Sequence, residues 1–207
     1  MFEIRICDSC GLRYPSPFIE QAINTRCPAC LGRTRVILSR SLVAESKHGL
    51  PDSSLYKREY SVVLDNIRSA WNVGSILRSA DGFGYSRAYM CGITPTPDNE
   101  AVRKTSLGAE YSIPWTYHKN AVILATKLKS QGYRIIALEE HERSISLNNT
   151  FEQNSSNPNL LIVGNEITGV DPRLLDLCDE IYHIPMYGEK KSFNVAIAFG
   201  IAAYTFK

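Results

Sequence analysis

The chain has 207 residues and nearly balanced charge, with 23 Lys and Arg against 21 Asp and Glu and a net charge of +2 at neutral pH. This length predicts one main domain with a small appendage, and the composition is that of an ordinary globular protein. Every apolar run is shorter than the roughly 18 residues that span a bilayer, and the opening residues, MFEIR, lack the apolar stretch of a secretory signal. We therefore expect a cytoplasmic protein with reduced thiols and no membrane partner.

Positive charge is concentrated at the front of the chain. Residues 1–60 carry nine Lys and Arg against six Asp and Glu, whereas residues 61–207 carry fourteen against fifteen. A basic piece on a near-neutral body is compatible with nucleic-acid binding, but an ordinary solvated surface explains the charge equally well.

Residues 1–38 contain four cysteines in two CxxC pairs that are separated by sixteen residues: Cys7, Cys10, Cys27 and Cys30. This spacing predicts a structural zinc site with four thiolate ligands in a zinc ribbon, with strands near 2–6 and 34–38. Gly11 and Gly32 follow the pairs and suit a tight backbone. Two redox pairs or disulfides are the alternative, but a small segment with few apolar residues more often needs a metal to fold.

A linker rich in Ser, Gly and charged residues is predicted over 39–59, and strands alternate with helices over 60–207. Short Val, Ile and Leu runs predict buried parallel strands at 61–65, 88–92, 134–138, 160–164 and 180–185. Helices are predicted at 73–83, 121–130, 172–177 and 193–206, with Asp171-Pro172 as a helix start. This alternation indicates an α/β fold with a parallel sheet. Cys91 and Cys178 lie in apolar surroundings and are predicted to be buried small side chains.

The first chemical motif, NVGSILR, follows the 61–65 strand and opens a helix. Asn72 lies where a cap would be, and its side chain can accept a backbone N–H bond. Arg78, six residues later, either faces solvent or binds an RNA phosphate.

Two further motifs follow later strands. Gly164-Asn165-Glu166 ends the 160–164 strand, where Gly164 permits close approach of a ligand to the backbone, although an ordinary turn also explains it. Ser192 and Asn194, on either side of Phe193, precede an alanine-rich helix that they either cap or use to orient a substrate. The carboxyl edge of a parallel sheet is where ligands bind, so the three motifs are expected to meet there.

Together these motifs resemble the SpoU/TrmH branch of the SPOUT RNA methyltransferases over about residues 60–207. The segment KTSLGA at 104–109 is also similar to that family, whereas Phe193 stands where the family commonly has Leu. The resemblance implies a C-terminal deep trefoil knot, bound S-adenosylmethionine, a homodimer whose site the partner chain completes, and methyl transfer to a ribose 2′-hydroxyl of tRNA or rRNA.

The resemblance also implies residue roles. Arg78 is expected to activate the 2′-hydroxyl and Asn72 to hold it, with Glu166 supporting the site and Ser192 and Asn194 in the catalytic and cofactor-binding loop. Cofactor contacts are implied at Leu138, Gly164, Asn165, Ile184 and Phe193. Because a guanidinium holds its proton strongly, Arg78 alternatively binds the neighbouring phosphate and stabilises charge as the oxygen attacks.

Other functions are less consistent with the full set of motifs. A catalytically silent RNA-binding or ribosome-assembly protein of the same fold would not need all of them. The Asn/Arg and Ser/Asn set favours methylation of ribose over methylation of a base, and a zinc sensor would leave the motifs unused.

Residues 1–38 are predicted to contact RNA through arginine and aromatic side chains, with a folding module or a protein contact as the alternative. These residues are Arg5, Arg13, Arg26, Arg33, Arg35, Tyr14 and Phe18.

Overall fold

The chain divides into two compact units, Met1–Leu55 and Tyr56–Lys207. The computed structural model describes residues 2–17, 26–41, 60–147 and 157–206. Most of the linker predicted over 39–59 and the aromatic Phe18 lie outside the described residues.

The first unit is an antiparallel sheet with the strand order β2-β1-β3. Its strands are β1 (Phe2–Cys7), β2 (Arg13–Pro17) and β3 (Thr34–Arg40). β3 continues two residues past its predicted end, so Ser39 and Arg40 pair within the sheet rather than belonging to a linker. The sequence did not indicate β2, because its residues RYPSP include two prolines, which lack the N–H donor of a strand.

The second unit alternates strands and helices, as the sequence predicts. In chain order its elements are β4 (Tyr60–Asp65), α1 (Ala70–Gly82), β5 (Arg87–Cys91), α2 (Glu100–Ser106), α3 (Ala109–Ser112), β6 (Trp115–His118), α4 (Ala121–Ser130), β7 (Arg134–Leu138), β8 (Ile145–Ser146), β9 (Asn159–Val163), α5 (Pro172–Leu177), β10 (Glu180–His183) and α6 (Val195–Thr205). Among the described residues, no helix has both the length and the apolar character needed to cross a bilayer.

These strands form one sheet of seven parallel strands in the order β6-β5-β4-β9-β7-β10-β8. Helices cover both faces, because successive strand residues point to opposite sides. Val62 and Leu64 pack in a core with α1, α2 and α6, whereas Val63, between them, packs in a core with α4 and α5. The carboxyl ends of the adjacent strands β4, β9, β7 and β10 therefore share one edge of the sheet.

Helix α1 begins three residues earlier than predicted, and this changes the interpretation of Asn72. Ser69 is the N-cap, and its hydroxyl accepts a hydrogen bond from the Asn72 N–H. The expectation that Asn72 caps the helix is therefore wrong: its side chain projects from the first turn and is available for other contacts. Asp171 does cap α5, as predicted, by accepting from the Arg173 N–H.

Gly74 sets the close packing of α1 against α2. A Cβ at this position would overlap the carbonyl oxygen of Val102 and the hydroxyl of Thr105. Gly74 of the first motif thus lets α1 pack directly against the KTSLGA segment. This segment contains the end of α2, where Leu107 and Gly108 have left-handed backbone.

Candidate functional site

A cavity of about 300 Å³ lies at the carboxyl edge of the sheet. The segments that follow β7, β9 and β10, together with the start of α6, form its wall. Its wall combines apolar side chains with several polar ones, which is typical of a small-molecule site. Its lining residues are Leu138, Glu139, Glu140, Val163, Gly164, Asn165, Glu166, Ile167, Gly169, His183, Ile184, Met186, Lys191, Ser192, Phe193, Asn194, Val195 and Ala198.

Most of the residues that the sequence singled out are brought together here. Eight of them line the cavity: Leu138, Gly164, Asn165, Glu166, Ile184, Ser192, Phe193 and Asn194. Asn72 and Arg78 are not among the lining residues, although Asn72 contacts two that are.

Glu166 connects the second motif to the start of α1. Its carboxylate accepts hydrogen bonds from the Arg68 N–H at 2.9 Å, the Ser69 N–H at 3.0 Å and the Asn72 side-chain amide at 2.9 Å. Backbone N–H groups at a helix start have no partner within the helix and favour an anion there. Glu166 therefore acts as a second cap of α1 from a distant part of the chain.

These contacts keep Glu166 ionised. Partial burial by itself would raise its pKa, but the hydrogen bonds from Arg68, Ser69 and Asn72 outweigh that effect, so the pKa of Glu166 lies below the usual value for a glutamate. A carboxylate that already accepts three hydrogen bonds and has a lowered pKa is a poor general base. Its geometry suits the positioning of Asn72 instead.

Asn194 connects the third motif to the same group. Its side-chain oxygen accepts from the Ala196 N–H at 2.9 Å and caps α6, and its amide donates to the Asn72 side-chain oxygen at 3.0 Å. The chain of contacts Glu166–Asn72–Asn194 thus joins all three motifs at the rim of the cavity. Asn194 therefore caps α6, which is one of its two predicted roles, whereas orientation of a substrate stays a prediction.

Asn165 shapes the turn that presents Glu166. Its side-chain oxygen accepts from the N–H groups of Ile167 and Thr168, and its amide donates to the Asn66 carbonyl at 2.7 Å. Asn66 has left-handed backbone with φ of 57°. The turn is therefore tied to the end of β4, next to the first motif.

Gly164 makes a close backbone contact within its own turn, as the ordinary-turn alternative predicts. A Cβ at this position would overlap the backbone of Gly169 and Val170. Because Gly164 also lines the cavity, its contact with a ligand stays a prediction. Gly169 has φ of 73°, and a Cβ there would meet the Glu139 carboxylate. The glycines let the 164–170 turn fold back onto itself against Glu139.

Arg78 lies on the exposed side of α1. Six residues separate it from Asn72, which corresponds to about 9 Å along the helix axis and about 120° around it. Trp71, seven residues before Arg78, lies on the same face and is 61% exposed. Arg78 therefore lies on a different side of α1 from Asn72, and it is not among the residues that line the cavity.

Sequence reasoning missed two contributors to the site. Glu139 lines the cavity and accepts from the Val170 N–H at 2.9 Å, and Ser69 both caps α1 and donates its N–H to Glu166. Glu139 could have been found because it directly follows β7, at the edge of the sheet where ligands bind.

The four N-terminal cysteines form a separate cluster in the first unit. Their sulfur atoms all lie within 4.8 Å of one another, with Cys7 and Cys30 at 3.4 Å and Cys10 and Cys27 at 3.7 Å. Tetrahedral zinc with bonds of about 2.3 Å separates its ligand sulfurs by about 3.8 Å. The arrangement therefore fits a four-thiolate metal site.

The two CxxC turns have the same backbone pattern. Gly11 and Leu31 each follow the second cysteine of a pair, with φ of 73° and 60°. Leu31 takes the left-handed position in the second turn. Gly32 is required for space, since a Cβ there would press on the Ser9 hydroxyl at 2.6 Å, in agreement with the tight backbone that the sequence predicts.

Cys91 and Cys178 are buried, as predicted. Burial raises the pKa of both thiols to about 12, with smaller contributions from the charges of Asp65 and Asp179 respectively. They therefore remain protonated and take part in packing rather than in chemistry.

Residues 59–204 match the family model of the SpoU rRNA methylases. A tRNA (guanosine(18)-2′-O)-methyltransferase of Aquifex aeolicus is 29% identical over 157 residues, covering 72% of this chain and 70% of the relative. A 23S rRNA (guanosine(2553)-2′-O)-methyltransferase of Bacillus subtilis is 28% identical, covering 75% of this chain and 60% of the relative.

The fold is also similar to that of solved structures. An AdoMet-bound rRNA methyltransferase from Sinorhizobium meliloti matches with a TM-score of 0.66 and 28% identity, over 72% of this chain and 55% of that one. The present chain thus spans little more than half of that structure. The family match covers most of the sequence and includes all three motifs, and the chain therefore belongs to the SpoU rRNA methylase family.

Proposed function

We propose that this protein transfers the methyl group of S-adenosylmethionine to a ribose 2′-hydroxyl of tRNA or rRNA. The observation that carries the proposal is the Glu166–Asn72–Asn194 chain of hydrogen bonds, which joins the three family motifs beside a cavity of ligand size. The relatives named above are 2′-O-methyltransferases of tRNA and rRNA, which supports the same reaction for this chain.

The cavity fits S-adenosylmethionine by the chemistry of its wall. Apolar side chains of Leu138 and Ile184 suit an adenine ring, and the exposed edge of the sheet offers backbone N–H and C=O groups for its polar atoms. Acidic residues Glu139 and Glu140 suit the positive charges of the cofactor. When bound, the cofactor supplies an electrophilic methyl group on a sulfonium centre.

The residues of the chain then have distinct roles. Glu166 and Asn194 fix the side chain of Asn72, Ser192 and Phe193 belong to the loop that closes over the cavity wall, and Arg78 binds the substrate near its target hydroxyl. Arg78 acts either by taking the proton of the hydroxyl or by stabilising charge on the neighbouring phosphate.

A homodimer in which each site takes Arg78 from the partner chain is part of this proposal. Arg78 is exposed and does not line the cavity of its own chain, and it shares a face of α1 with the exposed Trp71. Helix α6, which packs against α1, adds exposed Ile197 and Tyr204, at 55% and 74%. Exposed apolar side chains on paired helices are typical of a protein interface.

Mixed dimers test this arrangement directly. An Arg78→Ala chain and a Ser192→Ala chain are each inactive, but a mixed dimer regains one complete site if Arg78 acts across the interface. If both residues act within one chain, no combination restores activity. Recovery on mixing thus supports the shared site, and its absence, with dimers shown by light scattering, contradicts it.

A deep C-terminal knot is also proposed. Supporting it, β9 is inserted between β4 and β7, and residues from the segments 138–140, 163–169 and 183–195 line one cavity. A crystal structure in which the chain after β10 passes beside the preceding loops, instead of through them, would contradict the knot.

The proposal also includes a structural zinc ion in the first unit. A cytoplasmic location is proposed as well, because it suits RNA-modifying relatives. The ligands are the thiolates of Cys7, Cys10, Cys27 and Cys30. Four thiolates leave no open coordination position, so the metal serves folding rather than catalysis.

Methyl transfer from labelled S-adenosylmethionine to total RNA of a strain that lacks this protein tests the reaction. A labelled 2′-O-methylnucleoside supports it and identifies the base. A labelled base instead of ribose overturns the ribose assignment. Absence of both label and cofactor binding, measured by calorimetry, overturns methyl transfer and favours a silent RNA-binding protein.

A further inference from the structure

We propose that one face of the N-terminal sheet binds single-stranded RNA, an inference that builds on the proposed RNA substrate. Strand pairing places directly opposite residues on the same face of the sheet. In the central strand β1, Phe2, Ile4 and Ile6 share one face, since alternate residues point to the same side. This surface, called the Phe2 face below, spans about 14 Å along β1.

Arginines flank the Phe2 face on both sides. Arg13 of β2 and Arg35 of β3 lie opposite Ile6, and Arg40 of β3 lies opposite Phe2. All three are exposed. The β-bulge between the Ile4 and Arg5 pairings restores the register, so that Leu38 and Arg40 return to this face.

The opposite face has a different character. Arg5 lies there, forms an ion pair with Glu3 at 2.6 Å and donates to the Thr34 hydroxyl at 3.0 Å, and its side chain is only 13% exposed. Arg5 therefore stabilises the sheet, whereas the sequence predicts that it contacts RNA. The hydroxyl of Tyr14, also on this face, donates to the Arg26 carbonyl.

The arginines of the Phe2 face are available to a ligand. Arg13 and Arg40 form no ion pair or side-chain hydrogen bond with any residue in the described part of the chain. Arg35 pairs with Asp8 at 3.1 Å, but both side chains are half exposed or more, and such a pair is weak and easily exchanged.

Charge and chemistry favour RNA as the occupant. Residues 1–41 contain six arginines, no lysine and three acidic residues, so this segment carries a net charge of +3. The planar guanidinium of arginine binds phosphates through two parallel hydrogen bonds and stacks on bases. Lysine binds phosphate only as a point charge and has no planar group that could stack. Phe2, Ile4 and Ile6 are partly exposed, and Arg40 lies opposite Phe2. An accessible aromatic ring beside an arginine is a surface on which unpaired bases stack.

Binding of a short, labelled, mixed-sequence single-stranded RNA to the full-length zinc-loaded protein, measured by fluorescence anisotropy across a salt series, tests the proposal. The variant is Arg13→Gln/Arg40→Gln. Since each lost phosphate contact lowers the salt slope of log affinity by about 0.7, we expect the slope to become less steep by about 1.4. The corresponding double lysine variant keeps the charge and should keep the slope.

The matched control removes the same charge from the second unit. Lys127→Gln/Arg173→Gln changes exposed residues of α4 and α5 that have no ion pair among the described residues. If the Phe2 face binds RNA, this control leaves the slope unchanged. An equal change in both double variants would mean non-specific attraction by net charge and would overturn the proposal.

Phe2→Leu separates stacking from charge. Leucine keeps an apolar side chain in the sheet but removes the aromatic ring, so affinity should fall roughly 5- to 150-fold with the salt slope unchanged. Unchanged affinity in both Phe2→Leu and Arg13→Gln/Arg40→Gln, with zinc content intact, would overturn the proposal.

Cofactor binding and methyl transfer are measured on the same proteins. These measurements distinguish a failure of RNA binding by the Phe2 face from a failure of the proposed reaction. RNA binding that is insensitive to the variants while methyl transfer persists overturns only the role of the Phe2 face. Loss of methyl transfer and cofactor binding in the parent protein overturns the reaction, whereas the anisotropy series still reports whether the Phe2 face binds RNA.

Discussion

Glu166 shows how one side chain organises the candidate site. Two of its three donors are backbone N–H groups at the start of α1, and the third is the amide of Asn72. The carboxylate thereby connects residues that are almost one hundred positions apart in the chain. Its contribution depends on its negative charge, because only an ionised carboxylate accepts from all three groups.

We expect Glu166→Gln to lower the free energy of unfolding by about 1 kcal/mol, less than the roughly 1.5–3 kcal/mol typical of hydrogen bonds to a charged group, because solvent screens this exposed carboxylate. The amide that replaces one oxygen would face donors instead of accepting from them. Urea unfolding measures the change, and cofactor affinity should fall with it. Glu142→Gln, an exposed residue outside the cavity lining, is the control; an equal effect of both changes would contradict the argument.

The pKa of Glu166 gives the sign of its pH dependence. Because the pKa is lowered in the folded state, its stabilisation is fully present above the unfolded value near 4.5 and is lost as the pH falls through the folded value. The difference in unfolding midpoint between the parent and Glu166→Gln should therefore be constant at neutral pH and shrink in acid below about pH 4.5. A difference that grows on acidification would show that the assigned direction is wrong.

At the scale of elements, two glycines of α1 make a matched pair. Gly74 packs against the α2 backbone, where no room exists for a methyl group, whereas a Cβ on Gly82 would meet nothing within 4 Å. The same change at the two positions therefore separates packing from helix propensity.

Gly74→Ala should destabilise the protein by about 1–3 kcal/mol, because α2 must shift to accommodate the methyl group. Gly82→Ala should be neutral or stabilising by up to about 1 kcal/mol, since alanine loses less backbone freedom on folding. Thermal or urea unfolding of both variants gives the comparison. If Gly74→Ala proves as stable as Gly82→Ala, the close contact between α1 and α2 is not present in solution.

Some elements could be predicted from the local sequence, whereas others depend on tertiary contacts. The bounds of β7, α4 and α5 agree with the apolar runs and the Asp171-Pro172 start. By contrast, α2 has only Val102 and Ser106 buried, and β8 has two residues, so neither has a pattern that could be recognised locally. Contacts with α1 and with β10 stabilise these two elements.

At the scale of the whole molecule, the two units depend on different sources of stability. The second unit has an extensive apolar core on both faces of its sheet. In the described part of the first unit, the only buried residues in the apolar class are Cys7 and Cys27. Because this core is so small, we expect the first unit to depend on the zinc that we propose for its four cysteines.

Removal of zinc by a chelator, or Cys10→Ser, should therefore unfold the first unit and leave the second folded. Hydrogen exchange gives the measurement: amides of β1 and β3 should lose protection, whereas those of β4 and β9 should keep it. Metal analysis should show one zinc per chain before treatment, as four ligands for one ion require. Protection of β1 that survives complete loss of metal would contradict a structural role for zinc.

The sequence by itself determined the alternation of strands and helices, the four-cysteine cluster and the order of the three motifs, because these depend on local patterns of apolar residues, glycine and cysteine. The tertiary structure decided that Ser69 caps α1, which freed Asn72 to connect Glu166 with Asn194. It also decided that Gly164 makes a close contact within its own turn and that Arg78 is not among the residues that line the cavity. These features arise from contacts between residues far apart in the chain, and local sequence patterns do not specify such contacts.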